Sequence, residues 1–215
     1  METITFDQIV AERKSVRKYK PGVQIPNQIL DNIFSLAGKA PSSWNLQHWR
    51  FLIIKTQEKK ERIYPIAWNQ EQVLDSSCVV IVLGDTEAYK NAEKIYQRQV
   101  DLGYMSEDLM NHYLLNLPNI YKNKENFAIH EAIRNASLAS MLLMLAAKNY
   151  GIDSCPMIGF KEDELRNELH IPDRYIPVMM ITLGYQLDST VPHSTIRLPL
   201  DDYLFEETFT KEEFM

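Results

Sequence analysis

An α+β layered fold, with a central mixed sheet flanked by helices, is what this sequence predicts. Three observations carry the prediction. Two short runs, Cys78–Leu83 and Ile176–Leu183, are continuously apolar, as strands covered on both faces are. A third run, Trp49–Lys55, is aromatic, β-branched and of strand length. The stretch Ala136–Ala147 is apolar almost all round, which marks a long central helix buried among other elements. Helices mixed with a few short buried strands pack in layers.

The other elements follow in chain order. Thr5–Lys14 predicts a first helix with Phe6, Ile9 and Val10 on one face. A second helix starts near Pro26-Asn27, since proline suits a first helical turn. It carries Ile29, Ile33, Leu36, Ala37 and Ala40 at helical spacing and stops before Pro41. Glu58–Gln72 is polar and helical, interrupted by Pro65, and Gly84 is expected to close the strand from Cys78. The region near 85–127 is polar, Tyr-rich and helical in tendency, a peripheral excursion of the kind that lids a pocket. The long helix spans Glu131–Tyr150, with Gly151 at its C-terminal cap. A short helix covers Glu162–Leu169. A tail near 191–215 carries Pro192 and Pro199, then Tyr203, Phe205, Phe209 and Phe214; aromatics in such a tail pack on something, often a second subunit.

Composition sets the class. The 215 residues are 45% hydrophobic and 24% charged, so residues 1–215 read as one globular domain with a sizeable core. A net charge of −6 disfavours a nucleic-acid or anionic-membrane partner, with Arg13–Lys20 the one basic exception. Cys78 and Cys155 lie far apart without CxxC spacing, which indicates neither a zinc site nor a disulfide framework. His112, His130, His170 and His193 are scattered, with no spacing for a metal or a triad. The N-terminus has no basic n-region followed by an apolar run, so no signal peptide is expected. The apolar stretch from Ala136 falls short of the roughly 18–20 residues a spanning helix needs. The expectation is a cytoplasmic protein with no membrane partner.

Two segments could carry chemistry. If the chain is extended after the first helix, Arg13, Ser15 and Arg17 at i, i+2 and i+4 face one way. Two guanidinium forks and a hydroxyl would then suit a phosphate. Charge runs are ordinarily solvated surface, however, and taken alone this one reads so. Pro41-Ser42-Ser43-Trp44-Asn45 is ordinary turn chemistry. The adjoining tryptophans and the amides Asn45 and Gln47 could instead frame a flat heterocycle. The chain has 7 glycines and no Gly-x-Gly-x-x-Gly fingerprint for a dinucleotide.

The order of these motifs resembles the nitroreductase family of flavin enzymes. The family's Arg-x-Ser-x-(Arg/Lys) segment matches Arg13–Arg17. Its Pro-Ser-x-x-Asn-x-Gln-Pro-Trp segment matches Pro41–Trp49. Asn69 ahead of Val73-Leu74-Asp75-Ser76, Gly151–Phe160, Pro177–Tyr185 and Arg197-Leu198-Pro199 complete the likeness. The resemblance implies a nitroreductase-like sandwich and a homodimer with FMN sites at its interface. NADH or NADPH would be the co-substrate and a small-molecule electron acceptor the second substrate. Nitroaromatics or quinones would be reduced by ping-pong hydride transfer, with no catalytic residue beyond the flavin and no metal. Arg13, Lys14, Ser15, Arg17 and Arg197 would hold the phosphate, ribityl chain and pyrimidine edge. Pro41, Ser42, Ser43 and Asn45 would reach the other subunit's flavin. Asn69 and Gln72 would lie along the ring edge. Pro156, Met157, Ile158 and Gly159 would line the flavin near N5 and offer a backbone N–H. His48, Gln72 and Ile158 depart from the family's Pro, Lys and Glu: Gln72 would weaken charge stabilisation near the flavin, Ile158 would make the pocket more apolar, and the three together bear on acceptor preference more than on cofactor binding. A flavin store without turnover, and flavin fragmentation, dehalogenation or ene reduction, stand as alternatives.

Overall fold

In the computed structural model, which describes residues 4–188 and 195–209, every residue of strand β2 (Cys78–Asp85) is buried. Three further strands make up its sheet: β1 (Trp49–Ile54), β3 (Asp153–Met157) and β4 (Tyr175–Gly184), in the order β1-β2-β4-β3. The layered α+β architecture is as expected, but the sheet is not mixed. All three strand pairings are antiparallel, and parallel pairing enters among the described residues only as a one-residue bridge between Ser15 and Ser154. The apolar runs mark burial on both faces, and burial carries no information about strand direction.

Strand β3 has no counterpart in the sequence-based elements. It is five residues long and contains Pro156, which a central strand would exclude; at the sheet edge the missing N–H breaks no ladder on the outer side. Pro177 lies in the inner strand β4, next to a register shift where Leu83 pairs with Pro177 and Val82 with Met179. A bulge is where a sheet tolerates proline.

The two faces of β2 are covered by different helices. On one side Val80 and Val82 join Ile181 and Leu183 under α7 (Phe127–Asn149) and α2 (Asn27–Ala37). On the other, Val79, Ile81 and Leu83 pack with Met180, Cys155 and Met157 beneath Ile63 of α3 (Gln57–Ile63) and Leu165 of α8 (Glu162–Leu169). Gly84 does not end β2 but lies within it, because α7 comes too close for a side chain: a Cβ there would sit 2.8 Å from the Ala132 carbonyl oxygen. Helix α7 starts at Phe127, before the expected Glu131. It ends in a Schellman motif, with Gly151 at φ +71°, Gly151 N–H on Lys148 O and Ile152 N–H on Ala147 O. The helix is not buried all round: Ile133, Leu138 and Met141 are exposed along one side.

The excursion forms α5 (Ala92–Asp101) and α6 (Glu107–Asn123), joined by a core of Ala88, Ala92, Tyr96, Leu117 and Tyr121 that closes over Leu46. The remaining helices are α1 (Phe6–Glu12), started by a Thr5–Gln8 capping box, and the single turn α4 (Gln72–Asp75). In α1 only Ile9 turns inward; Phe6 and Val10 are exposed. Of the tail, Pro192 and Phe214 lie outside the described residues. Among those described, no helix is long and apolar enough to cross a membrane.

The Gly84 contact makes a prediction. A Gly84→Ala substitution is expected to destabilise by about 1–3 kcal/mol, since backbone must yield to the new methyl. That lowers Tm by roughly 2–4 °C per kcal/mol in a chain of this size. An unchanged melting curve would show that α7 and β2 can separate freely.

Candidate functional site

Helix α1 ends because Arg13 turns extended, with φ −61° and ψ 119°. From there the chain runs along the edge of β3, with Val16 N–H on Ser154 O at 3.0 Å. Val16 and Tyr19 point inward and are buried, and the Tyr19 hydroxyl lies 2.9 Å from Thr182 Oγ1. Those anchors leave Arg13, Lys14, Ser15 and Arg17 facing a cavity of about 560 Å³, completed by Val10, Ala11, Thr195 and Arg197. The predicted convergence of Arg13, Ser15 and Arg17 is met, and Arg197 joins them from far along the chain.

The cavity wall holds four cations and no acid among the described residues. Among the described residues the side chains of Arg13, Lys14 and Arg17 have no ion pair, and Arg197 donates only to Thr195 Oγ1 and Ile196 O. In a chain of net charge −6 such a cluster is not a by-product of overall basicity. Unneutralised guanidinium forks around a ligand-sized cavity suit a phosphate or other dense anion.

The second segment lies elsewhere. Pro41, Ser42, Ser43 and Asn45 do not line that cavity. They form a turn in which Trp44, Asn45 and Gln47 are all left-handed, with φ 52°, 57° and 52°. Such conformations are uncommon for these residue types and persist only when the surroundings hold them. Helix α7 does so. Glu131, buried, accepts from the Ser43 hydroxyl and pairs with Arg134, while Asn135 Oδ1 accepts Ser43 N–H at 2.9 Å. From the excursion, Tyr96 OH donates to Trp44 O at 2.9 Å and Asn91 Nδ2 to Leu46 O at 2.9 Å. Sequence reasoning missed Glu131 and Asn135. Their signal was present as a polar i, i+4 pair at the start of an apolar helix.

A third group joins Asn69 and Gln72 to the loop after β3. Trp68 and Asn69 are consecutive left-handed residues, at φ 54° and 55°, and both are exposed. Gln72 does not sit at an open edge: it is buried and donates to Gln70 Oε1 and Met157 Sδ, each at 3.0 Å. Gln70, not anticipated from sequence, donates to Gly159 O at 2.9 Å. Ile158 is 82% exposed, so the loop presents an apolar surface and not a charged one. The Arg13 cavity and this loop share β3, which the Arg13–Lys20 segment borders at Ser154 and which ends at Met157.

His48 anchors the Ser42–Gln47 turn to the excursion, with Nε2 2.6 Å from Tyr121 OH and Nδ1 buried without a partner. Burial pulls its pKa down to about 4, against the opposing pull of Glu131 and Asp85. Above the ordinary 6.5 both folded and unfolded chains leave it neutral. Below that, the unfolded chain takes up a proton that the folded one refuses. Its contribution is therefore present above about pH 6.5 and is lost as pH falls toward 4, by about 3 kcal/mol. A His48→Gln variant should show a flatter fall of unfolding free energy across that window in urea titrations; an unchanged slope assigns the loss to other groups.

The comparisons bear on this geometry. The nitroreductase family model matches residues 10–185. Over 198 residues the chain is 39% identical to YodC of Bacillus subtilis (strain 168), whose name places it among the NAD(P)H nitroreductases; the match covers 92% of this chain and 96% of YodC. It is 28% identical over 180 residues to the CLA biosynthesis enone reductase of Lactiplantibacillus plantarum, covering 82% of this chain and 83% of that one. A crystal structure from Exiguobacterium sibiricum 255-15, in complex with FMN, superposes with a TM-score of 0.86 at 34% identity, covering 95% of this chain and 98% of that one. A family match over most of the chain, with a shared fold and near end-to-end alignment, leaves one reading: the chain belongs to the nitroreductase family.

Proposed function

We propose that this protein is an FMN-dependent oxidoreductase that takes reducing equivalents from NADH or NADPH and passes them to nitroaromatics, quinones or similar acceptors by ping-pong hydride transfer. The observation that carries the reading is the cavity walled by Arg13, Lys14, Arg17 and Arg197, with no acid among the described residues that line it. That donor set fits a phosphomonoester, and the FMN bound by the Exiguobacterium sibiricum relative supports the identity of the ligand.

When bound, FMN supplies the two-electron chemistry, accepting hydride from one substrate and giving it to the next. The chain's own residues bind and orient. The four cations and Ser15 hold the phosphate and ribityl end, and their fixed charge favours added negative charge on the ligand. The N–H groups of Ile158 and Gly159 donate to no carbonyl among the described residues and so remain available to the ring. Exposed Ile158 and Trp68 give an apolar wall that excludes water from the reacting face. No side chain is needed as an acid or base, and His48, buried and neutral, is structural. The relation to an enone reductase supports conjugated carbonyls among the acceptors.

The functional unit in this reading is a homodimer. Ile133, Leu138 and Met141 of α7 and Phe6 and Val10 of α1 are large apolar residues left uncovered in the single chain. A partner covering them would bring the Pro41–Asn45 turn of one subunit toward the flavin of the other. The tail near 191–215, of which residues 195–209 are described, is the part of the chain this reading assigns to the partner, and residues 1–215 act as one domain. A cytoplasmic location belongs to the same reading, since reduced nicotinamide cofactors are found there.

Anaerobic NADH or NADPH should rapidly bleach the yellow FMN-loaded protein; a flavin that stays oxidised would favour a store or sensor. Replacing Arg13 or Arg197 by Ala should weaken FMN binding by about 1.5–3 kcal/mol, or roughly 10- to 150-fold. Wild-type affinity in both variants would refute the phosphate assignment. A Leu138→Glu variant should be monomeric by light scattering and lose FMN, whereas a flavin-loaded dimer would move the interface elsewhere.

A further inference from the structure

The segment after α3 and the loop after β3 are joined by side-chain amides, and the join has a direction. Gln70 Nε2 donates to Gly159 O at 2.9 Å and to Ala67 O at 3.1 Å. Two carbonyls on one side can be met only by the NH₂ end, because an amide oxygen there would face two acceptors. Gln70 Oε1 is thereby turned toward Gln72 and accepts from its Nε2 at 3.0 Å. The same Gln72 nitrogen lies 3.0 Å from Met157 Sδ, and the Gln72 side chain is buried. The end of β3 and the Gly159 carbonyl are thus held by one chain of amides, each fixing the next.

The glycine is part of the arrangement. A Cβ at Gly159 would meet Trp68 Cε3 at 3.0 Å and Gln70 Nε2 at 3.1 Å, so ring, amide and bare Cα are packed together. Phe160 N–H closes a tight turn onto Ile158 O at 3.1 Å. The Gly159 carbonyl and the Phe160 N–H belong to one peptide, which Gln70 ties at one end and Ile158 O at the other. The second bond in turn holds the Ile158–Gly159 peptide, whose N–H, that of Gly159, is one of the unbonded donors noted above.

We propose that Gln70 and Gln72 are positioning residues that aim the Gly159 N–H group at the flavin ring and thereby set its reduction potential, an inference that rests on the FMN reading. A fixed donor distinguishes the two redox states because the reduced ring carries more negative charge than the oxidised one. Rotating the donor changes that distinction, while the cations that hold the phosphate stand in a different wall.

The test uses full-length FMN-loaded protein. The Gln70→Leu variant keeps the volume and removes every amide contact. The ratio of affinities for reduced and oxidised FMN, obtained from the midpoint potential, should change about threefold to tenfold, as expected for one neutral hydrogen bond. The dissociation constant for oxidised FMN should stay within about threefold of wild type by the same measure. The Gln70→Glu variant supplies a readout that a merely structural role would not move. As an acid it still donates to Gly159 O; as a carboxylate it faces two carbonyls. Its potential should approach wild type near pH 5 and diverge from it near pH 8, reversibly. Variants that bind FMN with wild-type spectra and potentials at both pH values would overturn the relay alone. A wild-type protein that takes up no FMN would overturn the cofactor reading and the relay with it.

Discussion

Helix α7 lies so close on the sheet that one strand residue opposite it must be glycine. At Gly84 the Ala132 backbone leaves no room for a side chain, and the small residues Ala136, Ala139 and Ala147 of α7 continue into the same core. Interiors are packed at near-crystalline density, so an element held this closely has one position. Both N-terminal segments expected to bind the cofactor take their places from it. Glu131 and Asn135 of α7 grip the Ser43 turn, and α1, which delivers Arg13 to its cavity, packs on the same helix. A shift of α7 would move the turn and the cations together.

Charge is used in two ways, and the difference separates scaffold from site. Asp85 is fully buried, and both carboxylate oxygens are met at 2.7 Å by Arg174, with Glu87 N–H adding a bond at 2.9 Å. Buried charge so satisfied belongs to the framework. Arg13, Lys14 and Arg17 have no such partners among the described residues and face a cavity, and groups left uncompensated beside open space are available to a ligand. Backbone strain does not follow that division strictly. Left-handed non-glycine residues cap helices at Asn126 and His170 and occur at Glu207, but they cluster at Trp44, Asn45 and Gln47 and at Trp68 and Asn69, in two of the segments expected to touch the cofactor. Conformations of this kind survive where surrounding bonds over-determine them, as the bonds from Glu131, Asn135 and Tyr96 do for the first turn.

Much of the framework was legible because it is written in local periodicity. The apolar run at Cys78, the helical spacing of Glu162–Leu169 and the cap at Gly151 each state their own structure within a few residues. Strand β3 was not legible, because five residues containing a proline look like a loop until their place at the sheet edge is known. Gly84 read as a terminator for the same reason: nothing nearby says that Ala132 will press against it.

By itself the sequence determined the layered class, strands β1, β2 and β4 with the long helix α7, the basic and turn motifs and, through the order of those motifs, the family. Tertiary structure alone decided that the sheet is antiparallel and that Glu131 and Asn135 hold the Ser43 turn. It also decided that Gln72 is turned inward to support Gln70 and Met157. The physical reason is separation along the chain. Helical and strand periods report which face of an element is apolar over a few residues. Which partner covers that face, and which distant side chain meets a charge or an amide, is settled only when the whole core packs.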